Sequence, residues 1–156
     1  MKRFNCTIFF LITFLIVACN TSINVYEKTA AVPHHEWSSN NKLSFNFDAT
    51  DTLAYYNIYF VFRHTESYHF NNIWLDFTSA IPGKKSQTQH LNLLLANANG
   101  WLGSAMDDII EQRVPIFKTP VRLAKGSYTF SLQQVMREDP LQNVLNAGIR
   151  VEKVVE

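Results

Sequence analysis

Cysteine is nearly absent. The chain has two in 156 residues, Cys6 and Cys19, and everything after Cys19 must hold together by its core rather than by disulfides. Glycine and proline number five each, too few for a collagenous or Pro/Gly-rich disordered chain. An excess of one charge is also missing: 14 Lys and Arg face 13 Asp and Glu, a formal net charge of +1. That balance argues against nucleic-acid binding, which needs a basic face, and gives no sign of a polybasic lipid patch. No apolar run reaches the ~18–20 residues of a spanning helix. There is no Gly-x-Ser-x-Gly elbow, and Gly100-Trp101-Leu102-Gly103 is not a phosphate-cradling loop.

What is present begins at the N-terminus. Met1-Lys2-Arg3 places positive charge ahead of an apolar run from Phe4 to Ala18, the n-region and h-region of a signal peptide. Ile16-Val17-Ala18-Cys19 resembles a bacterial lipobox. The small Ala18 lets a peptidase reach the bond before Cys19, whose thiol is the nucleophile that takes diacylglycerol. The expected organisation is a lipoprotein signal peptide over 1–18, a lipidated N-terminus and linker over 19–36, and one domain over 37–156. Cleavage removes Cys6, Lys2 and Arg3. A thioether-linked diacylglycerol with an N-acyl chain anchors stably, unlike one myristoyl group. The exported protein is therefore expected at the cell envelope, tethered to membrane through Cys19.

Asn20 to Glu36 lacks periodicity, is polar and contains Pro33, so it reads as linker. The alternative is that Ile23 to Tyr26 pairs as an edge strand. His34 and His35 are adjacent, but on a strand their side chains diverge, and no spaced third ligand accompanies them. No metal and no cofactor are expected.

From Trp37 onward the pattern has period two. Leu43, Phe45 and Phe47; Tyr56, Ile58, Phe60 and Phe62; Ile73, Leu75 and Phe77; Tyr128, Phe130 and Leu132; and Ile149 and Val151 alternate with more polar neighbours. Such runs, rich in aromatic and β-branched residues, predict half-buried strands. Turn-forming clusters separate them: 48–51, 64–67, 82–84, 97–100 and 125–127. Leu91 to Ala96 reads as a further short strand. Two short helices are expected, one from a Ser104 cap through Glu111 and one starting at Asp139-Pro140 and ending near Leu145. The fold class is all-β, an antiparallel β-sandwich with at most one or two short helices. A chain of this length buries about two-thirds of its unfolded surface, enough without covalent staples.

Candidate chemistry is sparse. Asp48 and Asp51 share a turn and suit either calcium or Asx hydrogen bonds, the latter favoured. Asp107 and Asp108 fit a helix N-terminus. No catalytic residue is assigned, and a hydrolase using Asp48, Asp51 or Asp76 lacks an activating base. The aromatics offer more. Tyr59 and Trp74 lie on the polar sides of their strands, with Arg63 near Tyr59 and Asp76 as its expected partner; one expectation has Tyr59 packing against Trp74. Tyr59, Arg63, Trp74 and Trp101 form the candidate interaction surface.

The ordered elements resemble one known family. The lipobox is followed by Trp37, Asp51-Thr52, Tyr56-Asn57-Ile58, Arg63, Tyr68 and Asn72-Ile73-Trp74-Leu75. Then come Gly100-Trp101-Leu102-Gly103, Gly126-Ser127-Tyr128-Thr129-Phe130, Met136-Arg137 and Gly148-Ile149. Together they resemble GldH, the gliding motility lipoprotein of Bacteroidota envelopes. The resemblance implies a non-catalytic accessory of the gliding machinery, working beside type IX secretion, with envelope proteins as partners. It implies structural glycines: Gly126 at a hairpin turn, Gly100 and Gly103 around Trp101, and Gly148 before the last strand. The alternative function is a surface carbohydrate-binding lipoprotein that stacks sugars on Trp37, Tyr59, Trp74 or Trp101.

Overall fold

Alternating sequence becomes strand where one face finds a core to cover. The computed structural model describes residues 25–81 and 83–154. Its strands, in chain order, are β1 Val25–Ala31, β2 Glu36–Trp37, β3 Leu43–Ala49, β4 Tyr55–Thr65, β5 Asn72–Ala80, β6 Gln87–Leu94 and β7 Ala96–Asn97. They continue as β8 Gly100–Trp101, β9 Ser104–Met106, β10 Ile109–Pro115, β11 Val121–Arg122, β12 Gly126–Gln134, β13 Leu141–Gln142 and β14 Val144–Lys153. Two antiparallel sheets make the sandwich. The first has the order β1-β14-β4-β10-β9, with β11 pairing the start of β4. The second has the order β3-β12-β5-β6, and the small ribbons β2/β13 and β7/β8 complete the pairing.

The predicted alternation sets the inward face. Tyr56, Ile58, Phe60 and Phe62 of β4 are buried, as are Ala147, Ile149 and Val151 beside them on β14. Opposite stand Phe45, Ile73, Leu75, Phe77, Tyr128, Phe130 and Leu132 of the second sheet. The two layers touch through aromatic rings: Phe47 lies 5.4 Å from Tyr26 and 5.9 Å from Tyr56, both edge-on. Each fully buried Phe contributes ~1.5–3 kcal/mol of transfer free energy, so this aromatic core suffices without a disulfide.

Several expectations fail for identifiable reasons. Of the linker expected over 19–36, the part from Val25 onward is not linker. Residues 25–31 form a full edge strand, Val25 facing Glu152 through Ala31 facing Asn146, because β14 offers seven residues of unpaired backbone and any residue but proline can pair with it. The helix over 104–111 is instead a hairpin. Met106 pairs with Ile109, leaving Asp107-Asp108 as a two-residue turn, and Asp107 takes the positive φ of 54° that such turns demand. The Asp139-Pro140 helix is also absent. The Asp139 carboxylate caps no helix but accepts from Ser39 N at 2.8 Å and Ser39 Oγ at 2.5 Å, tying down the loop before β3. His64, expected in a turn, lies inside β4 and is wholly buried. Gly148 is not ahead of the last strand but within it. The segment at Leu91 is the expected strand, β6.

The sandwich has two poles. At the lower pole β1, β4 and β12 begin: Val25 faces Glu152, Arg122 faces Tyr55 and Gly126 faces Ala49. At the upper pole β4 ends, with Thr65 facing Ile109, and β3 begins, with Leu43 facing Leu132.

Candidate functional site

The outer face of the first sheet is built on period two. On β4 the residues that alternate with the core are Tyr55, Asn57, Tyr59, Val61 and Arg63. Pairing register sets Arg150 beside Tyr59, Gly148 beside Val61 and Asn146 beside Arg63. On the other side of β4, Arg113 is level with Val61 and Glu111 with Arg63. β1 contributes Glu27, level with Arg150. Five charged side chains from four strands thus meet on one face.

They pair completely. Glu27 accepts from Arg150 Nη1 at 2.7 Å and from Arg113 at 3.1 and 3.3 Å. Arg113 also reaches Glu111 at 2.7 Å. Glu111 in turn pairs with Arg63, and Arg150 with Glu152. The Glu27–Arg113 bridge runs from β1 to β10 across two intervening strands. It can cross because Gly148 has no side chain and Val61 is short. Val61 points outward and yet is completely buried. Burial works against ionisation of Glu27, but Arg113 and Arg150 outweigh it and hold the carboxyl below its ordinary range. Both guanidinium groups are correspondingly pushed up, chiefly by their hydrogen bonds to Glu27.

Arg63 therefore has Glu111 as its partner, not Asp76. Asp76 lies on the second sheet and bonds His90 Nδ1 at 2.7 Å. Trp74 stacks on the same His90 ring at 4.9 Å and is 37% exposed. Tyr59 and Trp74 sit on the outer faces of different sheets, so Tyr59 does not pack against Trp74. Trp101 belongs to a third place, the upper pole, where it lies edge-on to His64 at 4.5 Å, with Tyr68 beyond. The structure brings Tyr59 and Arg63 to one face and separates Trp74 and Trp101 from them. Trp37 is fully buried, its indole donating to the Asn41 carbonyl at 2.8 Å.

Two polar residues missed by sequence reading lie beneath Trp101. His64 and Gln112 are both buried. The His64 Nδ1–H donates to the Thr65 carbonyl at 2.8 Å, so Nε2 accepts from the Gln112 amide at 3.1 Å. Desolvation pushes the His64 pKa down despite the opposing carbonyl bond. Burial likewise pushes the Tyr68 phenol up. The signal was available: Gln112 lies two residues after Ile110 and shares its inward face of β10, and His64 continues the inward series of β4. Asp48, expected in a turn with Asp51, instead lies within β3 opposite Ser127, and Asp51 alone shapes the turn that follows. Asp51 accepts from Leu53 N and Ala54 N and pairs with Lys153 at 2.6 Å; Lys153 first, then these amides, lower its pKa. Among the described residues no group of three or more His, Cys, Asp or Glu is placed to hold a metal.

The model of the GldH lipoprotein family matches residues 24–151. That range takes in both sheets but for the last two residues of β14, and nearly all of the face just described. This chain belongs to the GldH lipoprotein family. Two relatives extend the match end to end. The gliding motility lipoprotein GldH homolog of Christiangramia forsetii is 26% identical, covering 97% of each chain. The gliding motility lipoprotein GldH of Flavobacterium johnsoniae is also 26% identical, covering 98% of this chain and 99% of its own. Among solved structures, the infectious bursal disease virus VP2 subviral particle aligns over 83% of this chain and 32% of its own at 19% identity; its TM-score of 0.32 is too low to assign a shared fold. The family match makes the chain a membrane-associated envelope lipoprotein. None of its described helices is long and apolar enough to cross a membrane.

Proposed function

We propose that this protein is a non-catalytic, lipid-anchored accessory of the gliding motility and type IX secretion machinery, held in the envelope through Cys19. The observation that carries the reading is the family match across the whole sandwich, behind a lipobox-like Ile16-Val17-Ala18-Cys19. Anchoring confines the domain to one surface and raises its effective concentration for other membrane components, so modest contacts suffice. Its partners are other envelope proteins of that machinery. Tyr59 and Arg63 offer contacts from one sheet, Trp74 from the other and Trp101 from the upper pole, so each surface is tested separately.

The sugar-binding alternative loses its platform. Trp37 is buried, Trp101 packs on His64 and Tyr68, and Tyr59 and Trp74 lie on opposite sheets, so no two of these rings stack one sugar chain.

The test is Cys19→Ser in the native host. The variant is expected to fold, leave the membrane fraction and fail to support motility. A variant that stays fully functional while soluble in the periplasm overturns the proposal. Photo-crosslinkers at Tyr59 and at Trp74, followed by mass spectrometry of captured proteins, then show which face meets the machinery.

A further inference from the structure

The near-neutral chain is not neutral at its ends. Among the described residues the lower pole carries Lys84, Lys85, Lys118, Arg122, Lys125 and Lys153 against Asp48, Asp51 and Glu152, a net charge of +3. The upper pole carries Glu36, Glu66, Asp107, Asp108, Glu138 and Asp139 against Lys42 and Arg137, a net charge of −4. The remaining charges of the described residues lie on the sheet faces between them. The sandwich is an electric dipole along its strands.

Three further features mark the positive pole. First, β1 begins there at Val25, so the segment leading back to Cys19 arrives at this end. Six residues reach at most ~20 Å. Second, apolar and aromatic side chains stand free among the cations. Leu53 is 80% exposed, Tyr55 is 43% exposed, and Arg122 covers the Tyr55 ring at 4.7 Å. Third, a slot of about 360 Å³ opens between the sheets at this end. Lys84, Lys85 and Arg122 border it, and Phe77 and Phe130 form part of its apolar wall.

We propose that the lower pole rests on an anionic membrane surface, with lipid phosphates held at Lys84, Lys85 and Arg122 and with Leu53 and Tyr55 entering the headgroup layer. The proposal builds on lipid anchorage at Cys19. Cations beside a membrane gain from anionic lipid only within about a Debye length, ~10 Å. The anchor brings this pole into that range, and the cations then fix its orientation. Tyr55 suits the interface because its ring is apolar and its hydroxyl is polar. The acidic upper pole, one β4 length away, lies beyond that range and points away from the membrane, because turning it toward the anionic surface would be opposed by charge repulsion.

The lipidated full-length protein, purified in detergent and reconstituted in vesicles, tests this. A fluorophore is attached at Leu53→Cys or at Asp107→Cys, and quenching by spin-labelled phospholipid is compared. The vesicles are phosphatidylcholine alone or with ~30 mol% phosphatidylglycerol. On anionic vesicles quenching at position 53 should exceed that at position 107 several-fold and should fall in ~0.5 M NaCl. The triple variant K84E/K85E/R122E should reduce it to the level seen on phosphatidylcholine. Equal quenching at the two positions, or quenching at position 53 that ignores both lipid charge and the triple variant, overturns the proposal. Mass spectrometry of the N-terminal peptide separates the two ideas. An unacylated Cys19 sinks the anchorage reading and this one with it; an acylated protein with equal quenching sinks this one alone.

Discussion

At the scale of single residues, His64 and Gly148 show how position decides chemistry. His64 is neutral because both ring nitrogens are committed and water is excluded. Its folded-state pKa lies below the ordinary value, so on acidification the unfolded chain binds the proton first. The stabilisation is complete above about pH 6.5 and is lost as pH falls from there toward the depressed pKa. Urea midpoints measured from pH 8 to 5 should therefore decline. His64→Asn should be less stable at pH 7 by ~1–3 kcal/mol, because Gln112 loses its acceptor. The gap should narrow at the acid end, and a constant gap would contradict the account. Gly148 answers to sterics rather than protons. A Cβ there would sit 2.2 Å from the Lys28 carbonyl oxygen and 2.6 Å from Thr29 Cα. Gly148→Ala should cost ~1–3 kcal/mol and loosen β1, read as faster amide exchange across residues 25–31.

At the scale of elements, the edge strand β1 is held by two devices, its ladder to β14 and the Glu27 bridge. Glu27→Gln leaves Arg113 and Arg150 facing a neutral group. Each such partly exposed pair is worth ~0.2–1 kcal/mol, so the expected loss is about 1 kcal/mol in thermal or chemical unfolding. High salt should shrink the difference from wild type. Acid should do the same as pH falls through the depressed Glu27 pKa, since the bridge needs the ionised carboxylate. The β9–β10 hairpin illustrates why the helix reading failed. Asp107-Asp108 is as good a turn pair as a helix first turn, and short-range chemistry does not choose between them. The choice came from β4, whose free edge accepts β10 along seven residues.

At the scale of the molecule, both sheets share one aromatic core, so the sandwich should unfold as a unit. Tryptophan fluorescence, which reports on Trp37, Trp74 and Trp101 together, and far-UV dichroism should give coincident denaturation curves; separated transitions would mean that one sheet stands alone. The all-β class was legible because period-two alternation is local and each run needed only one face to hide. The inward residues of β3, β4, β5 and β12 follow from it directly. The lipobox reading is likewise local chemistry, and it lies outside the described residues. What the sequence by itself determined was therefore the all-β class, the inward faces of the strands it marked out, and the family. Only the tertiary structure decided the rest, because each remaining feature depends on residues distant in the chain. Arg63 found Glu111 through register, and the four candidate surface residues parted because their strands joined different sheets. A balanced composition became a dipole because the turns that carry lysine close one end of the sandwich and the turns that carry aspartate and glutamate close the other.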